Sequence, residues 1–389
     1  MSASPERSGR MRALSPREGQ VVSTHIRESS MRSGVRVAQG AGAWSVYFEA
    51  TGRLWVHNDT VRKQAFQELY FYSRRSKVGT LTCSHPVKLW DEQRHLSPRE
   101  TARVQGFPDH MVLPRTNHNR LFGNAVSVGC AAHALSRVVS PNEAVRHVDL
   151  CAGLGGFSFA LASITDRAAT VGFSEVISTA IECYQENFPC VPALGDARTA
   201  TWPECDLITA GFPCQPFSVS NSKRRRDGHT NRDFYQTVLR AISVSRATRV
   251  VLENVSSFQT VGKEKFDLIV ETLRSDGFHV SCEVLNSRDA GVPQERKRLY
   301  IVASKLGQPR PWDRPRVASP GVTLGDILET HTPRGAPGEG GALLTRRTLL
   351  CRQSLPPSLP PPPSAHRPVC PPPNEPNKPN KPNQQTPHT

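Results

Sequence analysis

The sequence predicts an α/β fold in which helices cover both faces of a doubly wound, mostly parallel sheet. Between Val145 and Ser304, short apolar runs alternate with amphipathic stretches of helical length. Parallel strands need a crossover connection, so this alternation favours a parallel sheet over an antiparallel meander. A glycine cluster stands at the first strand-to-helix turn, at the sheet edge where folds of this kind bind ligands.

The elements of this core follow one another at regular intervals. The first strand ends at Val148–Leu150, and the first helix begins at Phe157. Later strands are expected at Thr170–Phe173, Asp206–Gly211, Arg249–Leu252, Val280–Leu285 and Leu299–Ala303, and later helices at Ser178–Asn187, Phe234–Ser245 and Lys265–Ser275.

The segments outside the core differ from it in composition. Residues 1–40 are basic and polar, and we expect them to be mobile. Residues 41–93 contain strand-like runs at Ala43–Phe48 and Leu54–His57, and residues 94–140 show a helical pattern. After the core at 145–304, one short helix is expected at Val322–Glu329 within residues 305–354. Residues 355–389 are rich in Pro and Asn and cannot bury enough apolar surface to order themselves.

The overall composition excludes some classes of protein. The 389 residues include 49 Lys and Arg against 34 Asp and Glu, a net charge of +15, which indicates a polyanionic partner. No apolar run approaches the ~20 residues of a membrane helix, and no apolar stretch near the N-terminus resembles a secretory signal. The ten cysteines show no CxxC spacing, so no metal site is expected. We therefore expect a cytoplasmic protein.

The turn at Asp149–Phe157 has the features of a ligand site. Its glycines let a ligand approach backbone N–H groups at a helix N-terminus. Glu175 ends the second strand at the spacing of a ribose-binding carboxylate, and Asp196 follows the third turn, where it can accept from an exocyclic amino group. The turn lacks the GxGxxG of a nicotinamide site, and Asp149 ahead of it suits a cation. These residues favour an adenosyl ligand that carries positive charge.

Reactive side chains stand at the ends of the following strands. Cys214 lies between two prolines just after the strand that ends at Gly211, where it is poised as a nucleophile. Glu253 ends an apolar run, so burial is expected to raise its pKa and suit it to hydrogen bonding with a ring nitrogen. Arg296 and Arg298 alternate on one face of an extended segment beside this edge.

Together these motifs closely resemble the DNA (cytosine-5)-methyltransferase family. The ordered set is DLCAGLGGFS, GFPCQPFS, ENV and QERKR, and the resemblance covers about Arg94–Ser304. It implies the methyltransferase type of sheet, the cofactor S-adenosylmethionine and duplex DNA as substrate. It also implies a restriction-modification setting with a separately acting restriction endonuclease. We expect the chain to be a monomer in the cytoplasm or at the nucleoid of a prokaryotic host.

The order of the motifs predicts a circular permutation. Family members usually place two further motifs after the Arg pair. Here the segments that resemble them, Arg94–Asp109 and Phe122–Val126, stand ahead of the cofactor turn. Termini can move to a surface loop if packed segments stay adjacent. Residues 94–140 are therefore expected to complete the cofactor pocket from the other end of the chain.

The resemblance assigns roles residue by residue. Cys214 would attack C6 of a cytosine flipped out of the duplex, Glu253 would hold N3 and the 4-amino group, and Arg296 and Arg298 would contact O2. The implied cofactor residues are Asp149, Gly153, Gly155, Gly156, Phe157, Glu175, Asp196, Ala197, Pro213, Asn124 and Ala125. The loop Ser218–Asp233 would close over the base, and the implied DNA contacts are Gln215, Ser218, Lys223, Arg224, Arg225 and Arg226.

Three points stay open at the level of sequence. The target-recognition region lies either in residues 305–354, where it would be truncated, or partly in residues 1–90. A chain without a full recognition region would be an inactive or weakly active remnant that binds cofactor or DNA. The same motifs also fit methylation of cytosine in RNA.

Overall fold

The computed structural model describes residues 72–83, 86–89, 92, 94–213, 233–313 and 321–329, together with the backbone of the strands between residues 35 and 71. Its strands are β1 (Val35–Gly40), β2 (Trp44–Phe48), β3 (Arg53–Asn58), β4 (Leu69–Tyr72), β5 (Lys88–Leu89), β6 (Arg94–His95), β7 (Val145–Leu150), β8 (Ala168–Ser174), β9 (Leu207–Gly211), β10 (Arg249–Val255), β11 (His279–Asn286) and β12 (Lys297–Ser304). Its helices are α1 (Pro98–Val104), α2 (His118–Asn124), α3 (Val128–Leu135), α4 (Gly156–Ala162), α5 (Ser178–Asn187), α6 (Phe234–Val244), α7 (Phe258–Val261) and α8 (Lys263–Ser275).

The predicted mostly parallel sheet is confirmed. Its strand order is β11-β12-β10-β9-β7-β8. The pairs β7–β8, β7–β9 and β9–β10 are parallel, whereas β12 runs antiparallel to both of its neighbours. The carboxyl ends of β7, β8, β9 and β10 therefore meet at one edge of the sheet, which we call the carboxyl edge.

Helices cover both faces of this sheet. On one face, Val251 and Tyr300 pack in a core with residues of α3 and α4. On the other, Leu252 and Ile301 pack with residues of α6 and α8. The alternation along β10 and β12 sends successive side chains to opposite cores, as strand geometry requires. Within the described part of the chain, no helix combines the length and apolar character of a membrane span.

The N-terminal region forms a second sheet of six strands, in the order β1 to β6. Most of its neighbouring strands are antiparallel, although β4 and β5 run parallel. Strand β1 lies within the stretch for which the sequence predicts mobility. It pairs antiparallel with β2. Residues 1–34, 330–354 and 355–389 lie outside the described residues.

The segment after β12 folds back onto the N-terminal region. The helix expected at Val322–Glu329 is only a single 3-10 turn at Leu324–Asp326. Two backbone bonds hold this turn, because Leu324 N donates to Ser76 O and the amide of Gly325 donates to Arg74 O. The side chain of Leu324 is fully buried. These contacts with distant residues replace the bonds that a longer helix would make within itself.

Candidate functional site at the carboxyl edge of the sheet

The turn after β7 adopts a left-handed backbone that glycine favours. Cys151, Gly153 and Gly155 have φ values of 52°, 55° and 77°. A Cβ at Gly153 would meet nothing within 4 Å, so the turn is open on that side. The amide of Gly153 donates to Glu175 Oε2 at 2.9 Å. This arrangement leaves room for a ligand over the turn and holds a carboxylate beside it.

The glycines at the far end of the turn are required by packing. A Cβ at Gly155 would lie 2.9 Å from the ring of Phe188 and 3.1 Å from that of Tyr184. A Cβ at Gly156 would lie 2.4 Å from Val126 Cγ2. Val126 also faces Gly211 at the end of β9, 3.4 Å from the position of an added Cβ. Residues 94–140 thus contribute a side chain that packs between the turn and the end of β9.

Gly156→Ala is expected to destabilise the protein by about 1–3 kcal/mol, because the new methyl group overlaps Val126 in a packed core. Urea unfolding measures this loss. The double variant Gly156→Ala/Val126→Ala removes the atom that the methyl group would strike and should be no less stable than Val126→Ala alone. Equal stability of Gly156→Ala and the parent chain would contradict the close approach.

Asp149 lies beneath the turn and is not open to a ligand above it. Its side chain is 0 % exposed. Oδ1 accepts a hydrogen bond from Thr209 Oγ1 at 2.8 Å, and Oδ2 accepts from Ser158 Oγ at 3.1 Å. Burial raises the pKa of Asp149 to about 7, although the bonds from Thr209 and Ser158 act in the opposite direction. The contact with the cofactor predicted for Asp149 is therefore not supported by its position.

Two other carboxylates, those of Glu175 and Asp196, are partly exposed in the segments that follow β8. Glu175 is half-buried, and its Oε1 accepts from the amides of Val176 and Ile177 at 2.7 and 2.9 Å. Asp196 is partly exposed, accepts from the amide of Arg198 at 2.9 Å and pairs with the guanidinium of Arg198 at 3.2 Å. Both groups keep lone pairs for hydroxyl or amino donors, which fits the roles expected for them.

The remaining residues that were predicted to bind the cofactor fall into an accessible group and a buried group. Asn124 is exposed and accepts from Cys83 Sγ at 2.9 Å, and Pro213 is half-buried. Phe157, Ala197 and Ala125 are buried, with at most 8 % of their surface exposed, so only a small part of each could touch a ligand.

Val176, which the sequence pattern did not single out, is 65 % exposed directly after Glu175. The available sequence signal was an apolar residue next to Glu175, the carboxylate expected to bind a ribose. An exposed valine at this position offers a surface for an aromatic ring. The open turn, the carboxylates of Glu175 and Asp196 and this apolar surface fit an adenosyl cofactor.

Glu253 lies at the same edge, at the end of β10. It pairs in register with Gly211 of β9 and with Tyr300 of β12. Its carboxylate is buried and lies 3.1 Å from Arg298 Nε. Burial raises the pKa of Glu253, and the charges of Arg298 and Arg296 oppose that shift. The carboxyl group is therefore held between a desolvated environment and a cationic partner.

Arg296 has a different position from Arg298. Its side chain is among the most buried charges, with 2 % of the residue exposed. The guanidinium donates to the carbonyl oxygens of Leu81, Gly123 and Ala125 at 3.3, 3.1 and 2.9 Å. The expected contact of Arg296 with a base is not supported, because its donors are directed at the backbone of the N-terminal region. Its charge also acts on Glu253, where it lowers the pKa of that carboxyl group against the larger effect of burial.

The N-terminal region is attached to β12 by further bonds near Arg296. Val78 bridges to Gln294 in parallel, and Leu81 N donates to Gln294 Oε1 at 3.0 Å. Gln294 Nε2 in turn donates to Gln105 Oε1 at 2.9 Å. All of these groups are buried, so each bond satisfies a polar atom that water cannot reach.

The backbone that leads to the expected nucleophile is anchored at its start. Asn254 Nδ2 donates to the carbonyl oxygen of Phe212 at 3.4 Å, and the Phe212 ring meets that of Phe258 edge-on at 5.7 Å. The residue expected as nucleophile, Cys214, and the expected DNA contacts lie outside the described residues: Gln215, Ser218, Lys223, Arg224, Arg225 and Arg226.

Comparison with known proteins gives matches along most of the chain. A family model for C-5 cytosine-specific DNA methylase matches residues 11–140 and 145–342. The Type II methyltransferase M.NgoBV of Neisseria gonorrhoeae is 31% identical over 207 residues, which are 49% of this chain and 48% of that protein. The Type II methyltransferase M.MspI of Moraxella sp is 29% identical over 225 residues, 56% of this chain and 52% of that protein.

A crystal structure of the S. pombe Dnmt2 methyltransferase is also similar, with 21% identity and a TM-score of 0.35 over 44% of this chain and 52% of that chain. The chain spans about half the length of the curated relatives it matches.

Proposed function

Because this chain belongs to the C-5 cytosine-specific DNA methylase family, we propose that it transfers a methyl group from S-adenosylmethionine to C5 of cytosine in duplex DNA. The family predicted from the motifs is confirmed, and the cofactor of C-5 DNA methyltransferases is S-adenosylmethionine. The observation that carries the proposal is the placement of Glu253, paired with Arg298, at the same sheet edge as the open turn beside Glu175.

The protein residues proposed to hold the cofactor bind and orient it. Gly153 and Pro213 would line the binding site of the cofactor. Glu175 would accept hydrogen bonds from the ribose hydroxyls, and Asp196 would accept from the amino group of the adenine. Asn124 would close the pocket from the N-terminal region. When bound, the cofactor supplies an electrophilic methyl group, so the protein needs only to make C5 of the base nucleophilic.

The base would be activated from two sides. The thiolate of Cys214 adds to C6, and the electron pair of the C5–C6 bond moves into the ring. Glu253 donates a proton to N3 as that charge develops, which requires the carboxyl group to hold a proton. Its burial favours the protonated form, and the Arg298 charge keeps the proton available for transfer. After C5 has gained the methyl group, a base removes the C5 proton. Cys214 then leaves as the thiolate, and N3 returns its proton to Glu253.

We also propose that the chain is circularly permuted. The late motifs stand at 94–126 and the cofactor turn at 149–157, and the two segments matched by the family model meet between residues 140 and 145. Val126 between Gly156 and Gly211, together with Arg296 on Gly123 and Ala125, keeps the permuted segment packed on the core. Because the packed segments stay adjacent, the chain termini can lie at a different surface loop without disturbing the core.

The sheet β1–β6 is our candidate for part of the target-recognition region. Its strands β1 to β5 precede the late motifs, and its last strand β6 begins them at Arg94. The region joins the core beside Arg296 through Val78 and Gln294. This favours the alternative within residues 1–90, where β1 to β5 lie, over residues 305–354. The loop Ser218–Asp233, with Gln215, Ser218 and the basic run Lys223–Arg226, would contact the DNA backbone and the flipped base.

We expect a monomer in the cytoplasm or at the nucleoid, with any restriction endonuclease acting separately.

Transfer of tritiated methyl groups from S-adenosylmethionine tests the function directly. The substrates are duplex DNA of mixed sequence and a structured RNA, and sequencing of methylated cytosines in DNA from cells that express the chain identifies the target. Labelled C5 in DNA supports the proposal. Label in RNA alone would assign the chain to RNA methylation, and cofactor binding without any transfer would mark it as an inactive remnant.

A further inference from the structure

A chain of buried hydrogen bonds runs beneath the open turn. His147 Nε2 lies 2.8 Å from Thr209 Oγ1, and Thr209 Oγ1 donates to Asp149 Oδ1 at 2.8 Å. Ser158 Oγ donates to Asp149 Oδ2 at 3.1 Å and lies 2.7 Å from the hydroxyl of Tyr184. All five side chains are buried. The chain links β7, β9, α4 and α5, with Asp149 at its centre.

An ionised Asp149 sets the direction of every bond in this chain. A threonine hydroxyl has one proton, so Thr209 can donate to Asp149 only if it accepts from His147 Nε2–H. His147 Nδ1 must then accept from Thr170, whose hydroxyl lies 3.0 Å away. By the same reasoning, Ser158 donates to Asp149 and accepts from Tyr184. Bonds that polarise one another in this way are stronger than isolated ones.

The chain also supports the parts of the pocket. Ser158 lies in the first turns of α4, and Thr209 precedes Gly211, where β9 ends. The Tyr184 ring stacks on Phe173 of β8 with centroids 3.9 Å apart, and it occupies the space beside Gly155. The side chains that position Asp149 therefore belong to the same elements that pack against the turn.

We propose that His147, acting through Thr209, is a positioning residue that keeps Asp149 ionised beneath the turn, and that Asp149 favours a sulfonium cofactor by its charge and without contact. The inference rests on the proposed function, because only that function supplies a cationic cofactor. A carboxylate in this desolvated site acts on a nearby positive charge more strongly than it would in water.

The titrating groups around Asp149 bear out this arrangement. Burial lowers the pKa of His147 to about 3, so the ring is neutral and carries a proton on only one of its two nitrogens. The pKa of Asp149, about 7, places its charge where small changes in hydrogen bonding alter it. Glu175 above the turn raises that pKa by repulsion. Two further titratable groups interact with Asp149 through its charge, the Cys151 thiol in the turn after β7 and the Tyr184 phenol on α5. Burial raises the pKa of both, so they stay neutral.

Paired substitutions at His147 test the proposal by cofactor affinity. His147→Gln keeps an N–H that can reach Thr209, whereas His147→Leu has none. Calorimetric titration with S-adenosylmethionine, and with the uncharged sulfur of S-adenosylhomocysteine, is run from pH 6 to pH 9. Without the N–H, the pKa of Asp149 rises, so the ionised form is rarer on the acid side.

For a rise of one pKa unit, the Kd of His147→Leu for S-adenosylmethionine should increase about tenfold at pH 6 and return to the parental value near pH 9. His147→Gln should stay within about threefold of the parent, and S-adenosylhomocysteine should respond less than S-adenosylmethionine. A loss that is equal at every pH and for both ligands would reveal a structural role only and would overturn the proposal, as would unchanged affinity at pH 6.

The tautomer of His147 provides a test that needs neither a variant nor the cofactor. The ring ¹⁵N shifts of the full chain should show Nε2–H at pH 8 and a change to Nδ1–H as Asp149 gains its proton on acidification. Nδ1–H at pH 8 would overturn the proposed direction of the chain. If this signature is present but the parent chain does not bind S-adenosylmethionine, the proposed function fails and the hydrogen-bond chain stands.

Discussion

Substituting Cys214 with alanine is expected to reduce methyl transfer to cytosine to background, while the Kd for S-adenosylmethionine stays within about tenfold of the parental value. Cytosine C5 becomes nucleophilic only after a thiolate adds to C6, and an alanine side chain has no group that can perform this addition. The proposed adenosyl pocket uses Glu175, Asp196 and the turn after β7, and the proposal gives the thiol no part in holding the cofactor. Tritiated-methyl transfer and calorimetric binding, measured on the same preparation, check both halves of the expectation.

Cys282→Ala is the matched control for loss of a thiol. Cys282 is a free cysteine on β11, the edge strand farthest from β7 and β8 in the core sheet. Its replacement should leave both transfer and binding unchanged. Undiminished turnover by Cys214→Ala would refute the assignment of the nucleophile, whatever the control shows.

Arg296 and Arg298 are expected to give opposite phenotypes although only one residue separates them. Arg296→Ala should lower the free energy of unfolding by about 2–4 kcal/mol, because three buried carbonyl oxygens each lose a charged donor. Arg298→Ala should leave the free energy of unfolding within about 1 kcal/mol and reduce kcat for methyl transfer, since Glu253 loses its cationic partner. Urea unfolding and single-turnover transfer separate the two effects.

Lysine substitutions sharpen this comparison. Arg296→Lys keeps the charge but cannot reach three carbonyls at once, so most of the stability should still be lost. Arg298→Lys keeps a cation near Glu253 and should recover part of the transfer rate. A stable, inactive Arg296→Ala would indicate that Arg296 contacts the base after all, and would contradict the position described above.

The core of the fold was predictable because its signals are local. The alternation of apolar runs and amphipathic stretches predicted the order β7 to β12, and the observed elements begin and end near the expected residues. The strand ends also placed Glu175, Pro213 and Glu253 at one edge, because the carboxyl ends of parallel strands meet there. The resemblance supplied the chemistry of that edge, and the family behind it is confirmed.

The N-terminal sheet was only partly predictable. Its short strands gain order from pairing with one another, and β4 and β5 pair in parallel across a connection that no local pattern reveals. The 3-10 turn at Leu324–Asp326 is a similar case, since its bonds go to Arg74 and Ser76. Contacts of this kind depend on the path of the whole chain.

The sequence by itself determined the type of each core element, the family and the residues that reach the carboxyl edge. Only the tertiary structure decided what those residues face. Asp149 lies under the turn, where Thr209 and Ser158 donate to its two oxygens. Arg296 is directed at carbonyl oxygens because the backbone of Leu81, Gly123 and Ala125 lies within hydrogen-bond distance of it. Element type follows from neighbours in the sequence, whereas the partner of a buried charge is set by segments some sixty to two hundred residues away, brought close by folding.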